Sequence, residues 1–298
     1  MPDEYNFYAE PLRNYTCEEL LPECECKLSE QFHRYGIVTC QNVSDFETFH
    51  HILSNDSVFT LDTPFRITLS GNTVLPKGFL SGLSVTELIV DDFQTRRVEE
   101  GAFDGVLGLY GISVRSSSMT EIPDFRAIRS FLRTLRLDNS RLTQLEGDNL
   151  KNLTKLVEIS FANNSIEHVA DDVFQGTEKV TSFDISHNLL TCLPPRLFKS
   201  WKHLVKVRLS YNQLLYVDHL FFGTNPEVSP PGEFYNMSSL TELHLEGNRI
   251  ATLGSKIQAL TQLRILSISN NQIRTITTNQ LPPKLMQLFL AGQFISYL

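Results

Sequence analysis

The sequence predicts an α/β solenoid, a chain that winds through about ten short coils around one continuous hydrophobic core. Three observations predict it. One pattern of apolar residues recurs along the chain, it recurs at a nearly constant period, and each unit is too short to bury its own apolar face. A length of 298 residues would by itself favour about two domains. The repeat overrides that expectation.

The pattern is clearest in residues 240–253, which read LTELHLEGNRIATL. Its apolar spacing fits neither a helix nor a strand for more than a few residues. Four more full copies begin at Leu156, Val180, Leu204 and Leu263, and weaker copies extend upstream and downstream. The units begin at positions 64, 85, 109, 132, 156, 180, 204, 240, 263 and 285. Most units are therefore 21–24 residues long, and one is 36.

Each unit contains an apolar–variable–apolar triplet, which predicts a strand of about three residues with its apolar side chains pointing into the coil. Stacked units then form a parallel sheet. An asparagine follows the strand at a corner, where its donor and acceptor can satisfy backbone groups. This corner position is occupied by Asn164, Asn188, Asn212, Asn248 and Asn271. Other residues occupy it upstream, namely Phe93, Ser117 and Ser140.

The full pattern, L-x-x-L-x-L-x-x-N-x-L-x-x-L, resembles the extracellular leucine-rich-repeat family over residues 64–298. The resemblance implies a horseshoe with a concave parallel β-sheet and an irregular, short-helical convex side. It also implies that the corner amides form a ladder from coil to coil. A phenylalanine 18 residues after the unit start, as in Phe103, Phe174, Phe198 and Phe222, predicts a stacked aromatic column.

Four of the five cysteines, Cys17, Cys24, Cys26 and Cys40, precede the repeats. They resemble the cysteine-rich amino-terminal cap of the family, so we assign residues 1–63 to a cap and 64–298 to the solenoid. A bond between Cys24 and Cys26 is the least plausible of the pairings. The resemblance favours Cys17–Cys26 and Cys24–Cys40. The alternative, a zinc site, lacks the usual C-x2-C spacing. We interpret Cys192 as an unpaired, packed thiol.

Six N-glycosylation sequons accompany these cysteines and indicate an extracellular protein that passed through an oxidising secretory route. They lie at Asn14, Asn42, Asn55, Asn152, Asn163 and Asn236. The first residues, MPDEYNFYAE, lack the apolar core of a signal peptide, so we expect that the signal was removed or lost. The last residues end inside a repeat without a carboxyl-terminal cap. We therefore expect a longer protein, with a membrane anchor downstream if it is a receptor.

Several function classes are disfavoured. A net charge of −8 argues against binding nucleic acid. No run of about 18 apolar residues predicts a membrane span. The eight histidines are scattered, and the G-x-S-x-G, phosphate-loop and H-E-x-x-H motifs are absent from the sequence. The sequence therefore predicts no enzyme, no cofactor and no metal site.

Binding is the predicted function, because a curved parallel sheet offers a rigid surface whose outward residues vary without disturbing the core. The expected partner is a protein ligand or counter-receptor with mixed charge. The candidate residues lie at variable strand positions: Asp91, Arg115, Arg136, Glu158, Asp184, Lys206, Arg208, Glu242, His244 and Phe289. The alternatives are a matrix protein resembling the small leucine-rich proteoglycans, and a binding role for the proline-rich insertion at residues 223–234.

Overall fold

The computed structural model describes residues 22–28, 36–54, 65–72, 74–91, 94–115, 118–194, 197–217, 237–254 and 256–293. Its main feature is a single sheet of twelve described strands. Every neighbouring pair is parallel except the first, which is antiparallel. Each parallel strand lies beside the strand of the next coil. The predicted solenoid is therefore confirmed.

The twelve strands of the main sheet are β1 (Cys24–Leu28), β2 (Gly36–Gln41), β3 (Phe65–Ser70), β5 (Val85–Asp91), β7 (Gly111–Arg115), β8 (Thr134–Asp138), β10 (Glu158–Ser160), β12 (Ser182–Asp184), β13 (Lys206–Arg208), β14 (Glu242–His244), β15 (Ile265–Ser267) and β16 (Gln287–Phe289). The outer strands are two residues long and form two small parallel pairs: β4 (Val74–Leu75) with β6 (Arg97–Val98), and β9 (Gln144–Leu145) with β11 (His168–Val169). Short 3-10 helices lie on the return side at Arg126–Ile128, Ile257–Ala259 and Thr278–Gln280.

The strands alternate between buried and partly exposed residues, as the apolar spacing predicts. In β12 to β15 the central residue is buried and its two neighbours are half-buried. The inward residues of a typical coil, such as Leu156, Ile159 and Phe161, are fully buried. They join the inward residues of the neighbouring coils in one continuous core.

The corner asparagines form the predicted ladder. Asn188 accepts a hydrogen bond at Oδ1 from the Ile166 amide at 2.9 Å, and its Nδ2 donates to the carbonyls of Phe161 at 2.9 Å and Ile185 at 3.1 Å. Asn164, Asn212, Asn248 and Asn271 repeat this arrangement in their own coils. In the last described coil Gln293 replaces asparagine and makes the same two kinds of bond.

The main-sheet strands are shorter in coils that carry a corner amide. The six strands from β10 to β16 in the main sheet are three residues long, as predicted, and each of their coils carries an amide at the corner. Strands β5, β7 and β8 have five to seven residues and lack that amide. The corner amide binds carbonyls of its own coil, which turns them out of the sheet directly after the strand. Strand β3, with Asn72, has six residues and is an exception.

The aromatic core differs from the predicted stacked column. Phe174 and Phe198 are buried, but each contacts Trp201, with ring centroids 5.2 Å and 5.7 Å apart and the planes tilted or perpendicular. Trp201 also contacts Phe183 at 5.1 Å, and its Nε1 donates to Thr177 Oγ1 at 3.1 Å. The rings therefore form a cluster around the one tryptophan. Phe222 lies outside the described residues.

The amino-terminal region continues the sheet. Strands β1 and β2 form an antiparallel pair in which Cys24 faces Cys40, and a disulfide joins them. This confirms one bond that the resemblance implied. Cys26 is also disulfide-bonded, whereas Cys17 lies outside the described residues. Cys192 is free, as expected, but exposed. The expectation of a packed thiol is wrong because its variable position points outward.

Helix α1 (Phe46–Leu53) connects β2 to the first repeat. Its amino terminus is capped by Asp45, whose carboxylate accepts hydrogen bonds from the amides of Glu47 and Thr48. The bonds from Thr48 lower the pKa of the Asp45 carboxyl. The helix buries Phe49 and Leu53 in the core. Among the described residues, no helix has the length and apolar character needed to cross a membrane.

Candidate binding face

The outward side chains of the twelve-stranded sheet form the strand face, and they align in columns because the coils are in register. One column contains Glu158, Ser182, Lys206, Glu242 and Ile265. The next contains Arg136, Ser160, Asp184, Arg208, His244, Ser267 and Phe289. All ten binding residues predicted from sequence lie in the main-sheet strands, at outward positions of this face. Three of them, Asp91, Arg115 and Phe289, are exposed and the other seven are half-buried.

Most charges on the strand face are paired across neighbouring strands. Lys206 contacts Glu242 at 2.5 Å, Arg66 contacts Glu87 at 2.6 Å, and Arg208 lies 3.6 Å from Asp184. Arg136 pairs with Glu158 on the next strand. The sequence predicted the positions of most of these charged residues but not their pairing. The hydrogen bond from Lys206 lowers the pKa of the Glu242 carboxyl.

Asp138 at the end of β8 is a half-buried carboxylate that holds two strands together. Its Oδ1 accepts a hydrogen bond from Ser160 Oγ at 2.5 Å and another from the Ala162 amide at 2.9 Å. Burial raises the pKa of the Asp138 carboxyl, and the nearby charge of Asp184 acts in the same direction. The charged form is therefore less favourable here than in the unfolded chain.

We expect Asp138→Asn to melt at an equal or higher temperature than the parent at pH 7. Because the pKa is raised in the folded state, folded protein binds this proton more readily than unfolded protein does. The group therefore destabilises the fold as the pH rises above the ordinary pKa of an aspartate. Asparagine removes the charge and keeps an oxygen for both hydrogen bonds. Thermal melts from pH 4 to pH 7 measure the effect, with Asp91→Asn as a control on the exposed part of the same face. If the melting temperature of the parent exceeded that of Asp138→Asn by an amount that grows with pH, the raised pKa of Asp138 would be contradicted.

Two polar atoms, one in strand β14 and one just after it, are unsatisfied. The atoms His244 Nε2 and Glu246 Oε2 are buried from solvent and have no hydrogen-bond partner among the described residues. The closest acidic atom to His244 Nε2 is Glu242 Oε2 at 3.6 Å, which is too long for a hydrogen bond. Since buried polar groups are normally satisfied, these two atoms are exceptions within the described part of the face.

A column of left-handed residues borders the strand face at its carboxyl edge. Each member directly precedes the corner position of its coil, and we call the set the corner column. It contains Asn42, Gly71, Asn139, Asn163, His187, Tyr211, Gly247, Asn270 and Gly292, with φ between 53° and 81°. Glycine and asparagine adopt this conformation readily, and histidine more often than most residues, whereas tyrosine does so rarely. The rings of His187 and Tyr211 stack, with centroids 4.3 Å apart and an angle of 15° between planes.

The opposite, amino edge of the strand face carries a second pair of large side chains. Arg133 lies over the Tyr110 ring, 5.5 Å from its centroid. Apolar side chains beside them are exposed, among them Phe131 and Val157 at 44% and 37%. None of the sequons within the described residues lies on this edge. Asn42 and Asn163 belong to the corner column, and Asn152 lies in a turn on the return side.

A separate cleft of about 310 Å³ lies on the return side, among the turns after β6 and β7. Arg126 crosses it and pairs with Glu100 at 2.6 Å and Asp124 at 2.8 Å. The pair with Glu100 joins two adjacent coils. In the part of the chain that the structure describes, no group of three histidine, cysteine or acidic residues is arranged to hold a metal ion.

The repeats match models of a known family. A model described as leucine rich repeat matches residues 130–190 and 159–214, and one described as leucine rich repeats (2 copies) matches residues 238–282. Both models describe a repeat and neither describes a catalytic domain. With the parallel solenoid and its asparagine ladder, these matches show that the chain is a leucine-rich-repeat protein.

Its relatives include podocan and lumican. Podocan of Mus musculus is 27% identical over 211 residues, which cover 69% of this chain and 32% of podocan. Lumican of Bos taurus is 29% identical over 147 residues, which cover 45% of this chain and 42% of lumican. The matched region thus spans about a third of podocan and under half of bovine lumican.

Solved structures show the same fold. An internalin, InlF, from Listeria monocytogenes superposes with a TM-score of 0.61 at 17% identity, covering 88% of this chain and 68% of the internalin. Toll, in the Toll–Spatzle complex of Drosophila, superposes with a TM-score of 0.54 at 21% identity, covering 91% of this chain and 47% of Toll. These identities establish a shared architecture.

Proposed function

We propose that this chain is an extracellular recognition module, secreted or part of a receptor or adhesion ectodomain, that binds a folded protein through the strand face. The observation that carries the proposal is the continuous twelve-stranded sheet, whose outward residues are in register and independent of the core. Toll, which shares this fold, was solved in a complex with Spatzle. The Cys24–Cys40 disulfide supports an oxidising, extracellular environment.

The paired charges define the kind of partner. Because most of its cations already face an anion, the strand face presents a mosaic of both signs and lacks the single-sign field that attracts polyanions. A protein surface with complementary mixed charge fits this mosaic.

The test measures affinity after charge reversal. The extracellular chain is used to capture its main partner, which is identified, purified and titrated against Arg136→Glu and Arg208→Glu variants. Each variant places like charges opposite Glu158 or Asp184 at the interface, and we expect the Kd to rise at least about 10-fold, or about 1.4 kcal/mol. A Kd within twofold of the parent for both variants would exclude this face.

Two controls separate binding from folding. Lys151→Glu removes the ion pairs to Asp148 and Asp172 on the return side, outside the strand face, and is expected to leave the Kd unchanged. The double variant Arg136→Glu/Glu158→Arg restores an internal pair with its order inverted. It should recover the parental melting temperature and still bind weakly, because the partner meets the wrong sign at each position.

A structural role in the extracellular matrix is the second candidate. It is favoured by the similarity to podocan and lumican, which are small leucine-rich proteoglycans. In that role the same face would organise fibres. Co-sedimentation with reconstituted matrix fibrils distinguishes the two, because a matrix protein would enter the pellet and a receptor module would stay in solution with its soluble partner. The insertion at residues 223–234 lies outside the described residues.

A further inference from the structure

The His187–Tyr211 ring pair has one closed end and one open end. On one side, Tyr211 lies so close to Gly247 that a Cβ there would be 2.6 Å from its Cδ1. The rings stack along the direction in which the coils succeed one another. The opposite face of His187 is therefore turned toward the preceding coil, whose corner-column residue is Asn163.

Asn163 and His187 are direct neighbours in the corner column. The backbone N–H of Asn163 donates to the carbonyl of Ser186 at 3.0 Å. This bond places Asn163 one strand spacing, about 4.8 Å, from His187. Both residues are exposed. Asn163 opens the sequon Asn163-Asn164-Ser165. The next residue, Asn164, is committed to the ladder, whereas the Asn163 side chain makes no hydrogen bond among the described residues.

The backbone conformation adds an independent reason to assign a role to the rings. A left-handed conformation is unfavourable for Tyr211, and all seven members of the corner column other than His187 and Tyr211 are asparagine or glycine. Two successive aromatic residues at such positions mark a place where the rings themselves are needed. An aromatic face attracts polarised C–H groups, and the faces of sugar rings carry such groups.

We propose that Asn163 carries an N-linked glycan whose first N-acetylglucosamine packs on the open face of His187. The His187–Tyr211 pair is then a platform that orients the glycan along the carboxyl edge of the strand face. The inference rests on the extracellular location given under the proposed function. It directs protein partners away from this edge, toward the strands and the amino edge.

Nuclear magnetic resonance on the secreted protein tests the proposal. The chain is expressed in eukaryotic cells with labelled sugar and trimmed enzymatically to one N-acetylglucosamine per site. Mass spectrometry then gives the occupancy of each asparagine. We expect the protons of the sugar on Asn163 to be shifted upfield by the His187 ring. The sugar on Asn152 is the matched control, because Asn152 is also left-handed and its neighbour in the next coil is Gly176.

The variant His187→Asn removes the ring and suits the left-handed backbone, so the fold is retained. It should abolish the upfield shift without lowering occupancy at Asn163. It should also lower the melting temperature of the glycosylated form by roughly 2 °C more than that of the form without sugar. If Asn152 is modified and Asn163 is not, or if the protons of both sugars have the same chemical shifts, the glycan inference is wrong and the proposed function is unaffected. If no sequon is modified, the extracellular proposal fails with it.

Discussion

Asn212→Leu is expected to lower the free energy of unfolding by about 3–5 kcal/mol. Asn212 is 6% exposed, and its Oδ1 accepts from the Leu190 amide at 3.0 Å. Its Nδ2 donates to the carbonyl of Ile185 in the preceding coil and to that of Leu209 in its own. Leucine has a similar size but leaves these buried backbone groups unpaired, at about 1–3 kcal/mol each.

Urea unfolding followed by circular dichroism measures this loss, and hydrogen exchange locates it. The Leu190 amide should exchange much faster in the variant, since it loses its acceptor. The control is Gln213→Leu, the next residue along, whose side chain makes no hydrogen bond among the described residues. A loss of the same size in both variants would show that the ladder is not the cause.

Trp201→Ala is expected to destabilise the chain by about 3–5 kcal/mol, because it leaves a large cavity in a close-packed core. Trp201 is 1% exposed and contacts Phe183 and Phe198 of its own coil and Phe174 of the preceding coil. Its loss also leaves the Thr177 hydroxyl without its donor. The middle of the solenoid should therefore open first.

The measurement is again urea unfolding by circular dichroism, since the variant lacks the tryptophan needed for fluorescence. Phe131→Ala is the control, because this aromatic side chain is 44% exposed, and such surface changes usually stay within about 0.5 kcal/mol. A Trp201→Ala variant as stable as the Phe131→Ala variant would contradict the central position of the aromatic cluster.

The repeat predicted the architecture because inward residues and corner amides have fixed positions in every unit. In the last described coil the longer amide of Gln293 occupies the corner position and makes the same two kinds of hydrogen bond. The resemblance to a known family supplied the Cys24–Cys40 pairing, which spacing could not decide. Strands β5, β7 and β8 were predicted too short because the missing corner amide also removes the signal that ends a strand.

The strand face was predictable in position but not in its contacts. Lys206 and Glu242 occupy the same slot in successive units, so their pairing was available from the period. Arg136 reaches diagonally to Glu158 instead of its register partner Ser160, and that choice depends on side-chain rotamers. The His187–Tyr211 stack had a signal that was missed, an aromatic residue directly before the corner asparagine in two consecutive units.

The single sheet also determines how the molecule responds to tension. Hydrogen bonds between strands point along the axis of the stack, so a pull along that axis loads them one coil at a time. The coils would separate one after another at low force, and each separation would lengthen the chain. Within the described strands, the β1–β2 pair resists separation, because the Cys24–Cys40 bond that joins them is covalent. An anchored molecule would thus yield through its repeats while its first strands stay together.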